Sequence, residues 1–505
     1  MQGSGLKTFL DRASRARVIS VTCLQWGDTG KGKIVDLLMS HWAEINARGT
    51  GGANAGHTVS INGRDYILHI IPSGILHDKD GKVNAIGRGV AFDPYILNEE
   101  LDILDKENLS YNHLYISGNA KLVLPPHIVL DRIRENKAGE AKIGTTGKGI
   151  GPVYEDHVGR RGLIVNDIFN TDLFAKKLKE NIAEKVKIIK GYDQALVAEV
   201  MQHPHLANGR YYHPEKIFEV DAIIAEYQKY GERFKGMVKD VEGFLRAQLG
   251  KKKILLEGAQ GHLLSVDEGG HPHTTSSDCT SDGLAKGVGL KERHIDINLG
   301  IVKFPYMTRV GSGPFPTEIG GQKSEEWCNR GGADKEKEKN TYPETDLNCE
   351  DEFLKGIALR KAGNEYGATT GRPRRVGWLD LPLLRYALQT SGQDIVLTKA
   401  DVLNQCREIQ ICTAYEYTGA PYFYSGKTIN PGDRLETAIP ASEFLRYCQP
   451  VYEKFPGWEK DLSGISEFEK LPENLRRLIK FVEDSAGARV SIISTGKDRD
   501  DTIFI

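Results

Sequence analysis

Residues 18–33 read V-I-S-V-T-C-L-Q-W-G-D-T-G-K-G-K, and the next nine read I-V-D-L-L-M-S-H-W. A β-branched run breaks into a glycine-rich turn, and helical spacing of apolar residues takes over directly after it. Strand, glycine loop and helix in this order open a parallel α/β sheet. Four more short apolar runs share the character of the first: K-I-L-L at 253–256, L-G-I-V-K at 299–303, I-V-L-T-K at 395–399 and V-S-I-I at 490–493. Each leads into a loop rich in Gly, Thr, Ser or Asp. The expected fold class is α/β, a large, mostly parallel central sheet flanked by helices. Ligands of such sheets bind where the strands end.

Away from these runs the pattern changes. Residues 170–250 are charged and helical, with no comparable glycine loop, and read as a helical elaboration. Residues 320–351 end in G-G-A-D-K-E-K-E-K-N-T-Y-P-E-T-D-L-N-C-E-D, which is polar and poor in core formers; a charged, solvated surface insertion is expected. Residues 1–17 are basic and lack the apolar stretch of a secretory signal, so they read as a ragged N-terminal extension. The remainder, 18–505, is expected to form a single domain.

Composition excludes several classes. Apolar residues are 39% and charged residues 27% of the 505, ordinary for a globular protein. A formal net charge of −2 gives no bulk pull toward nucleic acid or membrane, so neither is an expected partner. Any anionic ligand must be held by local Lys, Arg and backbone amides. The seven cysteines are scattered without a C-x-x-C pair, which argues against a zinc site or a disulfide framework. Reduced thiols and a cytoplasmic location are expected. No apolar run reaches the ~18 residues of a membrane span.

The loops carry the chemistry. Gly27, Gly30 and Gly32 stand with Lys31 and Lys33, so backbone N–H groups and a helix N-terminus can cradle phosphate. The loop fits most of a Walker A pattern, but Ile34 stands where its Ser or Thr should be. Asp28 suits neither a plain turn nor a simple phosphate cradle, because a carboxylate there is costly unless it binds metal or acts as a base. The cluster G-G-A-N-A-G-H-T at 51–58 carries one imidazole, His57, either an ordinary hydrogen-bonded residue or a general acid. G-T-T-G-K-G-I-G-P at 144–152 is a second anion cradle leading to Arg160 and Arg161. E-G-A-Q-G at 257–261 and T-T-S-S at 274–277 offer amide and hydroxyl groups. G-A-T-T-G-R-P-R-R at 367–375 joins a Gly/Thr loop to three arginines, whose planar forks favour carboxylates and phosphates. T-K-A-D at 398–401 looks like the guanine-reading N/T-K-x-D element, in which the Asp accepts from guanine N1–H and the 2-amino group.

Together and in this order these segments resemble the adenylosuccinate synthetase family. The resemblance spans about 18–503, outside the first residues and the 320–351 insertion. Its most specific stretches are Q-W-G-D-T-G-K-G-K at 25–33, G-I-G-P-V-Y-E-D at 149–156, T-R-V-G-S-G-P-F-P-T-E at 308–318 and G-A-T-T-G-R-P-R-R at 367–375. It implies a P-loop-NTPase-like core with helical and loop insertions, and a ligase joining IMP to L-aspartate with GTP through a 6-phosphoryl intermediate. By resemblance the catalytic residues are Asp28, as the base at N1 of IMP, His57, Lys31 and Gln260. The IMP site maps to Asn54, Thr146, Gln260 and Thr275, with Arg160 supplied across a homodimer interface. Thr369, Thr370 and Arg372 match the aspartate loop. Gly27, Gly30, Lys31, Gly32, Arg374, Lys399, Asp401, Ser494 and Gly496 match the GTP site. Mg²⁺ would take Asp28 and the Gly56 carbonyl.

Three positions depart from the family pattern: Thr29 for Glu, His157 for Lys and Lys497 for Pro. The joint loss of an acid and a base at 29 and 157 suggests that the two usually interact in the family. Two rival functions remain. Related phage-type enzymes use dGMP in place of IMP, making 2-aminoadenylosuccinate; they are altered at the loop Asp, so Asp28 favours IMP. A GTP-binding regulatory protein without ligase activity would leave His57 and the arginine loop without work.

Overall fold

The computed structural model describes residues 4–61, 64–139, 142–202, 214–330, 332–367 and 371–505. Its central sheet contains β1 (Val18–Cys23), β2 (Ile45–Arg48), β3 (Val83–Ile86), β4 (Leu114–Ser117), β5 (Val238–Lys239), β6 (Ile254–Glu257), β7 (Ile297–Lys303), β8 (Asp394–Thr398), β9 (Arg489–Ser494) and β10 (Thr502–Phe504). The ten strands lie in the order β10-β9-β8-β7-β1-β6-β2-β3-β4-β5. All neighbours are parallel except β9 and the edge strand β10. The five apolar runs of the sequence all fall in this sheet, so the expected α/β class is found.

Alternation along β1 assigns its two faces. Ile19 and Val21 pack with Ile34, Val35 and Leu38 of helix α2 (Lys31–His41), whereas Val18 packs with Val241, Leu245, Leu284 and Val288. Both faces are therefore covered, as a parallel sheet requires. The strands missed by sequence reading, β2 to β5 and β10, are two to four residues long, too short for a periodicity to register.

Two expectations need correction. The first residues are not a ragged tail: α1 (Ser4–Ser14) buries Phe9 and Ala13, and Phe9 meets Phe504 at 5.2 Å between ring centres. Arg12 reaches Asp394 at 3.0 Å and Ser491 at 2.9 Å. The cause is an i, i+4 apolar pair on a helix, a pattern too short to separate from chance in a basic segment. Nor is 320–351 simply solvated. It folds as helices Gly321–Asn329 and Lys335–Thr341, which bury Trp327, Cys328 and Glu338. The described residues of the 170–250 region are mainly helical, built around Thr171–Lys190 and Val220–Phe234, though Val238–Lys239 joins the sheet edge.

A second sheet was not anticipated. Tyr306–Arg309, Arg375–Asp380, Glu408–Tyr417 and Arg434–Leu435 run side by side, and Cys448–Pro456 pairs with the third of these. No helix among the described residues is long and apolar enough to cross a membrane.

Candidate active site

Strands β1, β6 and β2 are neighbours, so the loops leaving their C-terminal ends converge. The approach is close enough to demand glycine: a Cβ on Gly261 would lie 2.2 Å from the Gln25 carbonyl oxygen and 2.5 Å from the Gly27 nitrogen. Gln260 sits at φ +50°, a left-handed conformation that turns the chain sharply. Lys31 Nζ donates to the Gln260 carbonyl oxygen at 2.6 Å, joining the 27–33 loop to the 257–261 loop. Asn54 Nδ2 donates to Thr275 Oγ1 at 3.3 Å. Four atoms here are buried with no hydrogen-bond partner among the described residues: Asn54 Oδ1, His57 Nε2 and both ends of the Gln260 amide. Buried polar atoms are paired in most proteins, and leaving one unpaired costs about 1–3 kcal/mol. Four in one place mark a polar ligand site.

His57 is oriented by Glu257, the last residue of β6. Its Nδ1 stands 2.5 Å from Glu257 Oε1, and the carboxylate also accepts from Asn46 Nδ2 at 2.7 Å, Ser73 Oγ at 2.7 Å and the Ser73 nitrogen at 2.9 Å. Burial alone would raise the carboxyl's pKa, but His57, the neighbouring Arg48 and Asn46 outweigh it and hold it at about 2. Burial lowers the imidazole pKa, with Glu257 pulling the other way. His57 is thus neutral at rest, with Nδ1–H on the carboxylate and Nε2 turned to the site, and a counter-charge stands ready if Nε2 takes a proton.

Asp28, at φ +57°, pairs with Arg374. Arg374 also donates to Glu365 Oε2 at 2.9 Å. Glu365 is fully buried and accepts from Lys303 Nζ at 2.9 Å and Tyr306 Oη at 2.6 Å. Burial would raise its pKa, but Lys303, Lys399 and Arg374 hold it well below the carboxylate range. The arginine loop and the first glycine loop are thereby one charge network.

The nucleotide end forms around α2. Its N-cap, Gly30, is left-handed at φ 80°, and the helix N-terminus opens onto the loop. Lys33, the lysine that a Walker A reading would aim at phosphate, instead donates to Ser494 Oγ at 2.8 Å, the Gly496 oxygen at 2.9 Å and the Asp501 oxygen at 2.8 Å. Burial lowers its pKa to about 8 against the pull of Asp501 and Asp401. Thr398 Oγ1 donates to the Thr29 carbonyl oxygen at 2.8 Å. Lys399, at φ +67°, reaches the Gly363 oxygen at 2.9 Å. Burial raises the pKa of Asp401, with Lys399 opposing. Lys399, Asp401, Ser494 and Gly496, all expected at the GTP site, are thus brought to one end of the loop together with Lys33.

Other expected residues lie further out. Gly151, near the start of the helix Ile150–Val158, lies against Ser276, beside Thr275. Thr146 itself is exposed, lining a cleft of about 220 Å³ with Arg132, Glu135 and Glu199; within this chain it does not join the Asn54–Thr275 contact. Arg160 is exposed at φ +61°. Arg372 donates through Nε to the Cys328 oxygen at 2.9 Å and through Nη2 to Asn329 Oδ1 at 2.5 Å. Thr369 and Thr370 lie outside the described residues. Here Thr29 packs at the end of β8, while His157 backs onto Gly162 and faces the charge of Lys121.

Sequence reading gave Glu257, Glu365 and Lys33 no separate roles. Glu257 left a usable signal, since a carboxylate closing the apolar run K-I-L-L needs a partner once buried. Glu365, between polar and glycine neighbours, left none.

An α/β sheet whose strand ends gather two glycine-flanked helix N-termini, an imidazole–carboxylate pair and a guanine-type T-K-A-D turn defines a nucleotide-using enzyme. A family model for adenylosuccinate synthetase matches residues 20–503. The adenylosuccinate synthetases of Halothermothrix orenii and Myxococcus xanthus are each 40% identical, over 95% of this chain and 96% and 97% of theirs. The fully ligated adenylosuccinate synthetase structure from Plasmodium falciparum is 32% identical at a TM-score of 0.75, covering 97% of this chain and 100% of that one. A cyanophage S-2L succinoaminodeoxyadenylate synthetase, bound to dGMP and dATP, shares the fold at 17% identity and a TM-score of 0.51. The chain belongs to the adenylosuccinate synthetase family, ligases of purine nucleotide biosynthesis.

Proposed function

We propose that this chain condenses IMP with L-aspartate, driven by GTP, to give adenylosuccinate, GDP and phosphate. The observation that carries the reading is the group of unpaired buried atoms on Asn54, His57 and Gln260, at the strand ends that also carry Asp28. Oxygen at C6 of the purine is a poor leaving group. Asp28 takes the N1 proton of IMP, and O6 attacks the γ-phosphorus of GTP. The O6–P bond forms as the bond from the γ-phosphorus to the β,γ-bridging oxygen breaks, releasing GDP. The Gln260 amide, and His57 Nε2 once it carries a proton balanced by Glu257, serve the charge that develops on the transferring group, and Lys31 fixes the Gln260 turn. The aspartate amine then forms the C6–N bond, and phosphate leaves with O6.

Asn54 and Thr275 support the IMP site, with Thr146 and a partner's Arg160 at its outer edge in a homodimer. Arg372 suits a carboxylate of aspartate. Thr369 and Thr370 enter only through the family motif. The T-K-A-D turn supports guanine at Asp401. The residues present also fit Mg²⁺: Asp28 and the Gly56 carbonyl are oxygen donors beside an anion cradle. No cluster of three or more His, Cys, Asp or Glu among the described residues could hold an ion without nucleotide phosphates. Bound there, the ion would neutralise phosphate charge, and Asp28 would exchange Arg374 for it.

The test is phosphate release with aspartate and GTP, using IMP or dGMP, for the native chain and for Asp28→Ala. Turnover with IMP that is lost in the variant is expected. Turnover on dGMP alone would overturn the purine assignment, and full product formation by Asp28→Ala would overturn the catalytic one.

A further inference from the structure

The segment 321–342 is bonded to the arginine loop at several points. Arg372 places Nε on the Cys328 carbonyl oxygen at 2.9 Å and Nη2 on Asn329 Oδ1 at 2.5 Å. The Lys335 nitrogen donates to the Gly371 carbonyl oxygen at 3.1 Å, and its ammonium to Asn364 Oδ1 at 2.7 Å. Behind these contacts lies Glu338, fully buried in a helix otherwise rich in exposed charge. It accepts from Arg360 Nη2 at 2.9 Å, Trp327 Nε1 at 2.6 Å and Tyr366 Oη at 2.7 Å. Arg360 is also fully buried. One carboxylate therefore ties together the helix Gly321–Asn329, the helix Glu352–Gly363 and the residue just before Gly367.

The base of the arginine loop is itself closed, with the Gly371 nitrogen donating to the Gly367 oxygen and the Gly367 nitrogen to the Arg372 oxygen, both at 2.8 Å. Closure at the base leaves the direction of Arg372 to be fixed by an anchor outside the loop. A long arginine side chain costs rotamer entropy on ordering, so holding one edge of its guanidinium beforehand favours binding. We infer that segment 321–342 is a positioning element for substrate carboxylate recognition, with Asn329 and the Cys328 carbonyl orienting Arg372 and Glu338 anchoring the platform beneath. The inference rests on the reading of Arg372 as an aspartate contact.

Asn329→Ala removes one contact at a helix end and leaves the buried network in place. The aspartate KM is expected to rise roughly three- to ten-fold, with the KM values for IMP and GTP, kcat at saturating aspartate, and Tm unchanged. Asn329→Asp, which keeps the acceptor, is expected to retain an ordered Arg372 and to escape this loss. Glu338→Gln is expected to raise the aspartate KM and lower Tm together. Arg372→Ala is the control. If it leaves the aspartate KM unchanged, the reading of the loop is wrong. If it raises that KM while Asn329→Ala does not, the positioning inference alone fails. Equal rises in all three KM values for Asn329→Ala would also overturn it.

Discussion

Glu257→Gln tests the centre of the site with almost no change of shape. The glutamine oxygen can still accept from His57 Nδ1, so the charge is removed together with one acceptor, the oxygen that accepts from Asn46 Nδ2 and the Ser73 nitrogen. In the folded chain this carboxyl moves from 4.5 to about 2, which at ~1.4 kcal/mol per unit is about 3–4 kcal/mol in favour of its ionised form. Burial works against that shift, so the partners, His57 first, supply it. An imidazolium at His57 draws on part of that attraction when Nε2 takes a proton, and losing on the order of 2–3 kcal/mol there lowers the rate about 10²-fold. The expected result is a kcat down by that factor in the phosphate-release assay, with the IMP KM little changed. Stability carries a second signature. A carboxyl with a folded pKa below its unfolded one contributes stability fully above pH 4.5 and loses it as pH falls toward 2. Native Tm should therefore drop across that window more steeply than the variant's. A variant with kcat within threefold of native, while His57→Asn is disabled, would refute the argument that the carboxylate equips the imidazole.

Lys33→Met should raise the GTP KM about ten-fold or more while sparing that for IMP, because three donated hydrogen bonds, each worth about 0.5–1.5 kcal/mol net, join α2 to the 494–501 loop. The Lys33 ammonium loses its proton near pH 8, so the native GTP KM should climb above that pH; a flat profile to pH 9.5 would discount the lysine. Mixing inactive Asp28→Asn with inactive Arg160→Leu should restore activity if Arg160 works across a two-fold interface. Random reassortment leaves about a quarter of the sites intact, and no recovery after exchange would place Arg160 outside the partner's site.

The sequence by itself determined the sheet's centre and marked the loops that carry the candidate chemistry. Runs such as V-I-S-V-T-C and I-V-L-T bury on both faces, so composition alone marks them, and glycines betray loops that must pass close to backbone, as Gly261 does against Gln25 and Gly27. Asp28 and His57 stood out as candidates because each sits in such a loop, and Gln260 through the family resemblance. The tertiary structure alone decided which carboxylate serves which cation. Glu257 and His57 are 200 residues apart, and Glu338 looks like its solvated neighbours until Arg360, Trp327 and Tyr366 enclose it. It also turned the Walker-type Lys33 toward the 494–501 loop and folded residues 4–14 onto the sheet's edge. Periodicity and loop composition are local properties, written along the chain. Charge pairing and burial depend on distances through space, which only the packed fold sets.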